Sequence, residues 1–333
     1  MNDFANLKPD ERADVFTQTA SRMKTSNVAI VEKDFWVCYV LKHLFETETL
    51  KDRIVFKGGT SLSKAFDLIN RFSEDVDLIL DWRALGYDLT EPWLPRSNTQ
   101  QDLFNKDANR KAEKYIETVF LPAINDKISQ HLKEPFKFEI DPDDKQTLLF
   151  IYPRKFRDNA ILPEVRLEIG ALAAWTPSAK TSISPYSAKY FPFLFKESSI
   201  EIATVLPERT FWEKITILHR ESFRPEGSPL PHRYSRHYYD VYCMMNSPVK
   251  EKALKDLALL EKVVSFKDKF YHSPWGRYDL ARPGSIRLMP PERNIQALRS
   301  DYEQMLGMLY GDKPTFDAIM GGLARLEKEI NRS

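Results

Sequence analysis

Apolar positions along this chain alternate between a helical and an extended period, and the switches predict where helices and strands fall. Helical patterning of modest strength covers 10–24, and stronger patterning covers 30–45 through Phe35, Val37, Tyr39, Leu41 and Leu44. Two short apolar runs, at 54–56 and 76–80, have the length of buried strands, and between them Leu62, Ala65, Phe66 and Ile69 recur at helical spacing. A polar loop at 81–99 leads into a long helix expected over 101–132, kinked at Pro122, with Tyr115, Val119, Phe120, Ile124, Ile128 and Leu132 as its stripe. Runs at 136–140, 147–152 and 163–171 read as strands. In the last of these Val165, Leu167 and Ile169 alternate with Arg166 and Glu168, so one face is buried and the other presented. The stretch 175–195, rich in Ser, Pro and aromatics, is long for a loop in a compact domain and is expected to cross between lobes. A strand at 200–205 follows, and beyond Pro207 the texture is helical, with helices expected around RTFWEKITILHRE, RYSRHYYDVYCMM, 295–309 and 315–330.

This order predicts an α+β fold in three parts. A helical segment, 1–50, packs on a mixed α/β lobe, 51–205, and a helical lobe, 206–333, follows. With 333 residues, 42% of them hydrophobic, the chain can bury a sizeable core. Its 49 basic and 48 acidic residues leave a net charge of +1, which argues against a protein that coats nucleic acid but not against a local basic groove. The densest basic stretch is 220–236, with Arg224, His232, Arg233 and Arg236, a candidate for contact with a phosphate backbone. Lys106, Arg110, Lys111 and Lys114 alternate with Asp107, Glu113 and Glu117 and read as a solvated helix face. Cys38 and Cys243, far apart and in apolar surroundings, favour a reducing cytoplasm over a disulfide scaffold. No apolar stretch approaches the roughly 20 residues needed to span a bilayer, and MNDFANLKPDE does not read as a signal peptide, so a cytoplasmic protein with no membrane partner is expected. The motifs C-x-x-C and H-E-x-x-H are absent, and His219, His232 and His237 read as satisfied or surface histidines.

The chemistry concentrates in residues 54–80, IVFKGGTSLSKAFDLINRFSEDVDLIL. Gly58 and Gly59 follow a strand and precede a helix, where positive φ and a side-chain-free approach to a ligand are useful. Thr60 or Ser61 is placed to cap that helix, whose first turn offers backbone N–H groups to phosphate. Asp75 and Asp77 lie two apart on a strand, so both carboxylates point to one face while Val76 and Leu78 point to the other. Two such acids repel unless a cation lies between them, and Mg²⁺ or Mn²⁺ with substrate phosphates suits an all-oxygen pair. A structural hairpin with solvated acids is the bland alternative. A P-loop is set aside because 58–64 lacks the Gly-Lys-Ser/Thr ending.

KGGTSLSK followed by RFSEDVDL resembles the first motif of DNA polymerase β-like nucleotidyltransferases, and specifically that of the AbiEii/AbiGii toxin family, with its GG-T/S and R-x-S-x-D-x-D. The gap 60–74 is longer than in minimal nucleotidyltransferases and suits this family. VEKDFWV, with Glu32, Lys33 and Asp34, is similar to the family's N-terminal pattern. Lys33 and Asp34 are read either as bordering the nucleotide or as an exposed helix start. The run from Glu208 through Lys214 to His219, then RHYYDVY, resembles the later motifs, which Lys214 and Asp240 match. RPGSIRLMP and DYEQM, from Arg282 to Met305, match a further stretch, in which Arg287 is a weak candidate to face the acceptor.

The resemblance, covering Glu32 to about Met305, implies a polymerase β-like mixed sheet with flanking helices and a helical C-terminal lobe that closes over the nucleotide. It implies that Asp75 and Asp77 bind the metal, and that Lys57, Gly58, Gly59, Thr60, Ser61, Ser73 and Lys214 bind the nucleoside triphosphate. Asp240 completes the site as base or as organiser of Lys214, while Lys214 could equally be a lysine snorkelling at a helix surface. Glu168 is the candidate third metal acid, its alternative being a surface acid paired with Arg166. The activity implied is Mg²⁺-dependent transfer of a nucleotide monophosphate from an NTP to an acceptor hydroxyl, with RNA such as tRNA as acceptor. The role implied is that of a toxin in a bacterial toxin–antitoxin or phage-abortive-infection system with a cognate antitoxin. A protein-nucleotidylating enzyme and a nucleotide-binding module without transfer are the rival readings.

Overall fold

A computed structural model describes residues 1–25, 27–73, 75–158 and 161–332, and it divides the chain into two compact units. The first comprises Met1–Ala65 and Phe72–Val205, the second Phe66–Arg71 and Leu206–Ser333. Six residues inside the stretch expected to be one continuous lobe therefore belong with the second unit.

The first unit is built on a seven-stranded mixed sheet: β1 (Ile54–Lys57), β2 (Asp75–Leu80), β3 (Lys137–Ile140), β4 (Thr147–Ile151), β5 (Val165–Gly170), β6 (Ser178–Ile183) and β7 (Ile200–Val205), in the order β3-β4-β5-β2-β1-β7-β6. β1 runs antiparallel to β2 with Lys57 opposite Asp77, and β2 runs parallel to β5 with Asp75 opposite Arg166 and Asp77 opposite Glu168. The alternation read in β2 and β5 holds in space. Val76, Leu78, Val165, Leu167 and Ile169 are buried on one face, and Asp75, Asp77, Arg166 and Glu168 stand half-buried on the other.

Helices α1 (Asn2–Ala5), α2 (Pro9–Arg22) and α3 (Val28–Glu46) precede the sheet, and α4 (Gly58–Lys64) joins β1 to the segment that enters the second unit. α3 is buried nearly all round, from Ala29 to Leu44, with its charged residues paired inside, and Phe35, Trp36 and Tyr39 are wholly buried in it. The long helix expected over 101–132 is α5 (Asn98–Tyr115) and α6 (Leu121–Ser129), joined by a π-helical turn at 116–120. Its buried stripe is Ala108, Ala112, Ile116, Phe120, Ile124 and Ile128, a spacing of four throughout, while Val119 is exposed. A four-residue repeat drifts around an α-helix of 3.6 residues per turn, and the wider π turn takes up that drift just ahead of Pro122.

The stretch 175–195 does not cross between lobes. It forms β6, paired along its length with β7, and α7 (Tyr186–Tyr190), all within the first unit. The second unit is helical: α8 (Pro207–Ser222), α9 (Ser235–Met245), α10 (Pro248–Lys255), α11 (Leu257–Phe270), α12 (Glu292–Met305) and α13 (Phe316–Ile330). No helix among the described residues is long and apolar enough to cross a membrane. Both cysteines carry free thiols, and burial pushes Cys38 up to about 12 and Cys243 up to about 11.

One buried histidine links the core to pH. His43 of α3 is wholly buried, neither ring nitrogen has a hydrogen-bond partner among the described residues, and its ring stacks on His131 at 5.0 Å. Burial, reinforced by His131 and Lys42, pushes its pKa down to about 3. In the unfolded chain the group titrates near 6.5, so the unfolded state binds the extra proton and stability is lost as pH falls from about 6.5 towards 3. Urea denaturation of wild type and His43→Phe at pH 7 and pH 4.5 checks this. The wild type is expected to lose up to about 1 kcal/mol more per pH unit than the variant, and equal losses would contradict it.

Candidate active site

Each part of the Gly-Gly motif is fixed by the antiparallel register of β1 and β2. With Lys57 opposite Asp77, the chain leaves β1 directly against the Asp77 carboxylate, and Gly58 turns it with φ +79°. A Cβ at Gly58 would lie 1.8 Å from Asp77 Oδ2, so only glycine leaves the acid where it is. The helix cap differs from expectation. Lys57 is the N-cap residue, while Thr60 and Ser61 lie inside α4 and are buried. The Thr60 hydroxyl donates to the Asp75 carbonyl oxygen and so ties the turn to the acid strand, while the Ser61 hydroxyl donates to the Gly58 carbonyl oxygen at 2.8 Å within α4. Gly59 is buried in the first turn, and Ser73 is half-buried two residues before Asp75. The helix ends at Lys64 instead of running to Ile69, since Asp67 takes positive φ (+52°) and Phe66–Arg71 departs to the second unit.

On the open face of the sheet Asp75, Asp77 and Glu168 stand beside Arg166. The Arg166 guanidinium bonds Asp141 at 2.7 Å and reaches Asp75 at 3.8 Å, which holds a fixed cation next to the acid pair. Asp141 in turn sits below the usual carboxylate range because it accepts from the Asp143 backbone N–H and from Arg166. No group of three or more His, Cys, Asp or Glu arranged to hold a metal occurs among the described residues. The donors present are carboxylate oxygens two apart on one strand, which fit a hard cation whose remaining ligands are water and phosphate.

Glu32, Lys33 and Asp34 are not an exposed helix start; all three are buried. Asp34 accepts from Lys64 of α4 at 2.6 Å and from the Tyr186 backbone N–H at 2.7 Å. Lys64 also lies 3.9 Å from the centre of the Tyr186 ring. Burial raises the Asp34 pKa, and Lys64 opposes the rise. This pair fixes the helix that begins at Gly58.

In the second unit, Lys214 of α8 and Asp240 of α9 pair at 2.7 Å, both buried. Arg71 closes on the same carboxylate, Nε to Oδ1 at 2.7 Å and Nη2 to Oδ2 at 2.9 Å. Burial alone would raise the Asp240 pKa, but Arg71 and Lys214 hold it well below the carboxylate range. Lys214 is lowered by its own burial and by Arg71, against the pull of Asp240. It is therefore no snorkelling surface lysine. Arg71 opens the R-x-S-x-D-x-D motif, and its local sequence offers no sign of the acid 169 residues away.

Asp301 accepts from the backbone of Arg233 and Ser235 and fixes the start of α9, and the Tyr302 hydroxyl donates to the Pro314 carbonyl oxygen. His219 uses both ring nitrogens, one accepting from the Arg287 backbone N–H at 3.0 Å, while the Arg287 side chain lies over Phe223. In the stretch 220–236, Arg220 and Arg224 both pair with buried Glu221, which removes them from the basic surface expected there. An open cleft of about 500 Å³ beside α11 contains none of the predicted site residues; within it Arg277 pairs with Asp279 at 3.0 Å.

A family model described as nucleotidyl transferase AbiEii toxin, type IV TA system, matches residues 39–321. No curated protein matches the sequence. Among solved structures the chain is similar to MenT4, a nucleotidyltransferase toxin from Mycobacterium tuberculosis H37Rv, with 15% identity and a TM-score of 0.47 over 95% of this chain and 97% of that one. It is also similar to JHP933 from Helicobacter pylori, with 15% identity and a TM-score of 0.41 over 88% of each chain. A nucleotidyltransferase structure from H. pylori gives 14% identity and a TM-score of 0.42 over 92% of this chain and 96% of that one. Overlaps this loose say nothing of this chain's chemistry.

The Gly58–Asp77 contact gives a direct test of the site. Gly58→Ala combines a left-handed backbone penalty of about 1–2 kcal/mol with a displaced carboxylate, whereas Gly86→Ala carries a similar φ (+84°) with nothing within 4 Å of its Cβ. Both are expected to lower Tm by a few degrees, and only Gly58→Ala to lose about a hundredfold or more in turnover. Equal activity in the two variants would contradict the role given to Gly58.

Proposed function

Because this chain belongs to the AbiEii family of nucleotidyl transferase toxins of type IV toxin–antitoxin systems, we propose that its reaction is Mg²⁺-dependent transfer of a nucleotide monophosphate from an NTP to a hydroxyl of RNA, tRNA being the acceptor class. The observation that carries the reading is the Asp75–Asp77 pair on one sheet face, with Asp77 packed against the only residue type its turn allows.

Asp75 and Asp77 are the residues that would hold the cation, and Glu168, level with Asp77 on the next strand, is the third candidate. When bound, Mg²⁺ would supply charge neutralisation at the triphosphate and polarise the α-phosphorus. The Gly58–Gly59 turn lets the phosphates approach backbone without a side chain between, with Lys57, Thr60, Ser61 and Ser73 bordering it. Lys214 adds a cation for the triphosphate. Asp240 acts as its organiser and not as a base: both its oxygens are occupied by cations and its pKa is depressed, so it has little capacity to take a proton. The acceptor oxygen forms a bond to the α-phosphorus as its proton passes to solvent and the bond to the bridging oxygen breaks, and pyrophosphate leaves with that electron pair. As the toxin of its system, the protein would be opposed by a cognate antitoxin.

Incubation with Mg²⁺, each α-³²P-labelled NTP in turn and total bacterial RNA, resolved on RNA and protein gels, tests the reading. Label is expected in an RNA band with wild type, absent with Asp75→Ala, and strongly reduced with Asp240→Asn. Label on protein alone would replace the RNA acceptor with a protein, and label surviving in folded Asp75→Ala would remove the acid pair from the mechanism.

A further inference from the structure

One turn of α3 holds two separate pieces of the first unit. Asp34 grips α4 through Lys64, and Glu32, two residues earlier, accepts the backbone N–H groups of Lys155 and Phe156 at 2.8 and 2.9 Å. Between them Lys33 donates to the Leu162 carbonyl oxygen at 3.2 Å. The loop 152–158 is therefore fixed to the same helical turn as the helix that begins at Gly58. Strand register agrees. β4 runs antiparallel to β5, with Phe150 opposite Val165, and β5 runs parallel to β2, with Arg166 opposite Asp75. The chain thus leaves β4 at the end of the sheet where β2 begins with Asp75 and where β1 ends at Lys57, just before Gly58.

That loop reads Tyr-Pro-Arg-Lys-Phe-Arg, and Arg154, Lys155 and Arg157 are exposed. Lys155 pairs with Asp10, but both side chains are solvated and such a pair contributes little. Arg154 and Arg157 form no ion pair among the described residues. Two other cation clusters are matched by an acid: Arg110 and Lys111 by Asp107, Arg220 and Arg224 by Glu221. Here Glu32 accepts the loop's backbone N–H groups, so Arg154 and Arg157 stand exposed on a segment held at Lys155 and Phe156. Binding then orders little that is not ordered beforehand. With a net charge of only +1 over the whole chain, attraction for a polyanion has to come from such a local cluster.

We propose that the loop 152–158 docks the phosphodiester backbone of the acceptor RNA, with Arg154, Lys155 and Arg157 taking phosphates beside the Gly58 turn and Glu32 as a positioning residue. The inference deepens the function proposed above and rests on its RNA acceptor. Cations on a held loop, with Tyr152 buried and Phe156 half-buried, read phosphate and not sequence, so binding is salt-dependent and tolerant of sequence.

The test is equilibrium binding of total bacterial tRNA to the full chain across a KCl series, with NTP binding by calorimetry and transfer kinetics on the same preparations. Arg154→Ala/Arg157→Ala removes two exposed, unpaired side chains and is expected to fold as wild type. It should weaken tRNA binding about tenfold or more and lower the slope of log K against log salt by about 1.5. The KM for RNA should rise while NTP affinity and kcat at saturating RNA stay unchanged. Glu32→Gln should weaken RNA binding in the same direction although every cation remains, and Asp75→Ala should bind tRNA as wild type does. A double variant that binds tRNA with wild-type affinity and slope, in a protein that does label RNA, would overturn the docking loop alone. A wild type that binds no RNA and labels only protein would overturn the RNA acceptor and the docking loop together.

Discussion

The contact between the Asp77 carboxylate and the backbone of Gly58 is the constraint on which the rest of the site depends. A strand must deliver an acid to one face, and the preceding strand must turn away at the same level, in a space that has no room for a Cβ. The in-register pairing of β1 with β2 supplies both at once. The hydroxyl of Thr60 then secures the turn to the carbonyl oxygen of Asp75, so the acid pair and the helix beyond it hold a single relation to each other. Sheet hydrogen bonds, which are non-local but regular, thereby set the spacing of groups that chemistry needs within a fraction of an ångström.

Charges buried away from the acids fix each unit from within. An ionised pair in the interior gains stability only when its geometry is good and its remaining hydrogen-bonding capacity is filled. Asp34 meets that condition with Lys64 and the Tyr186 N–H, and Glu32 with two backbone N–H groups. Asp240 meets it with Arg71 and Lys214. Each is more fully satisfied than an exposed ion pair, and each joins segments distant in sequence. Removing one partner leaves a charge with no water to replace it, which is why such residues tolerate little change although most of them touch no substrate in the proposed mechanism.

Much of this was legible in the sequence, for definable reasons. The strand Ile200–Val205 and the alternation in Val165–Gly170 follow from a period of two, and the Asp-x-Asp pair on one face follows from the same geometry. β6 left no such trace. Ser178–Ile183 is an edge strand, exposed along most of its length, so its polar residues need no alternation. Extending the Gly-Gly helix to Ile69 failed because Leu62 and Ile69 are both buried, but in different units, and a periodic pattern does not record which core a residue joins. Lys33 and Asp34 admit two readings from sequence, a border of the nucleotide or an exposed helix start, because the partners that meet them in the interior, Leu162 and Tyr186, lie more than a hundred residues on. Arg71 is the same case at greater range. Local sequence indicates charge, and only the fold indicates whether water or another side chain answers it.

The central claim is that the acid pair at the Gly58 turn is where nucleotide and metal meet. Anomalous diffraction from crystals grown with Mn²⁺ and a non-hydrolysable NTP tests it most directly. The account predicts an anomalous peak within coordination distance of both Asp75 and Asp77, with the triphosphate against the Gly58–Gly59 turn. Nucleotide bound with its metal elsewhere, or bound without reference to either acid, would contradict it.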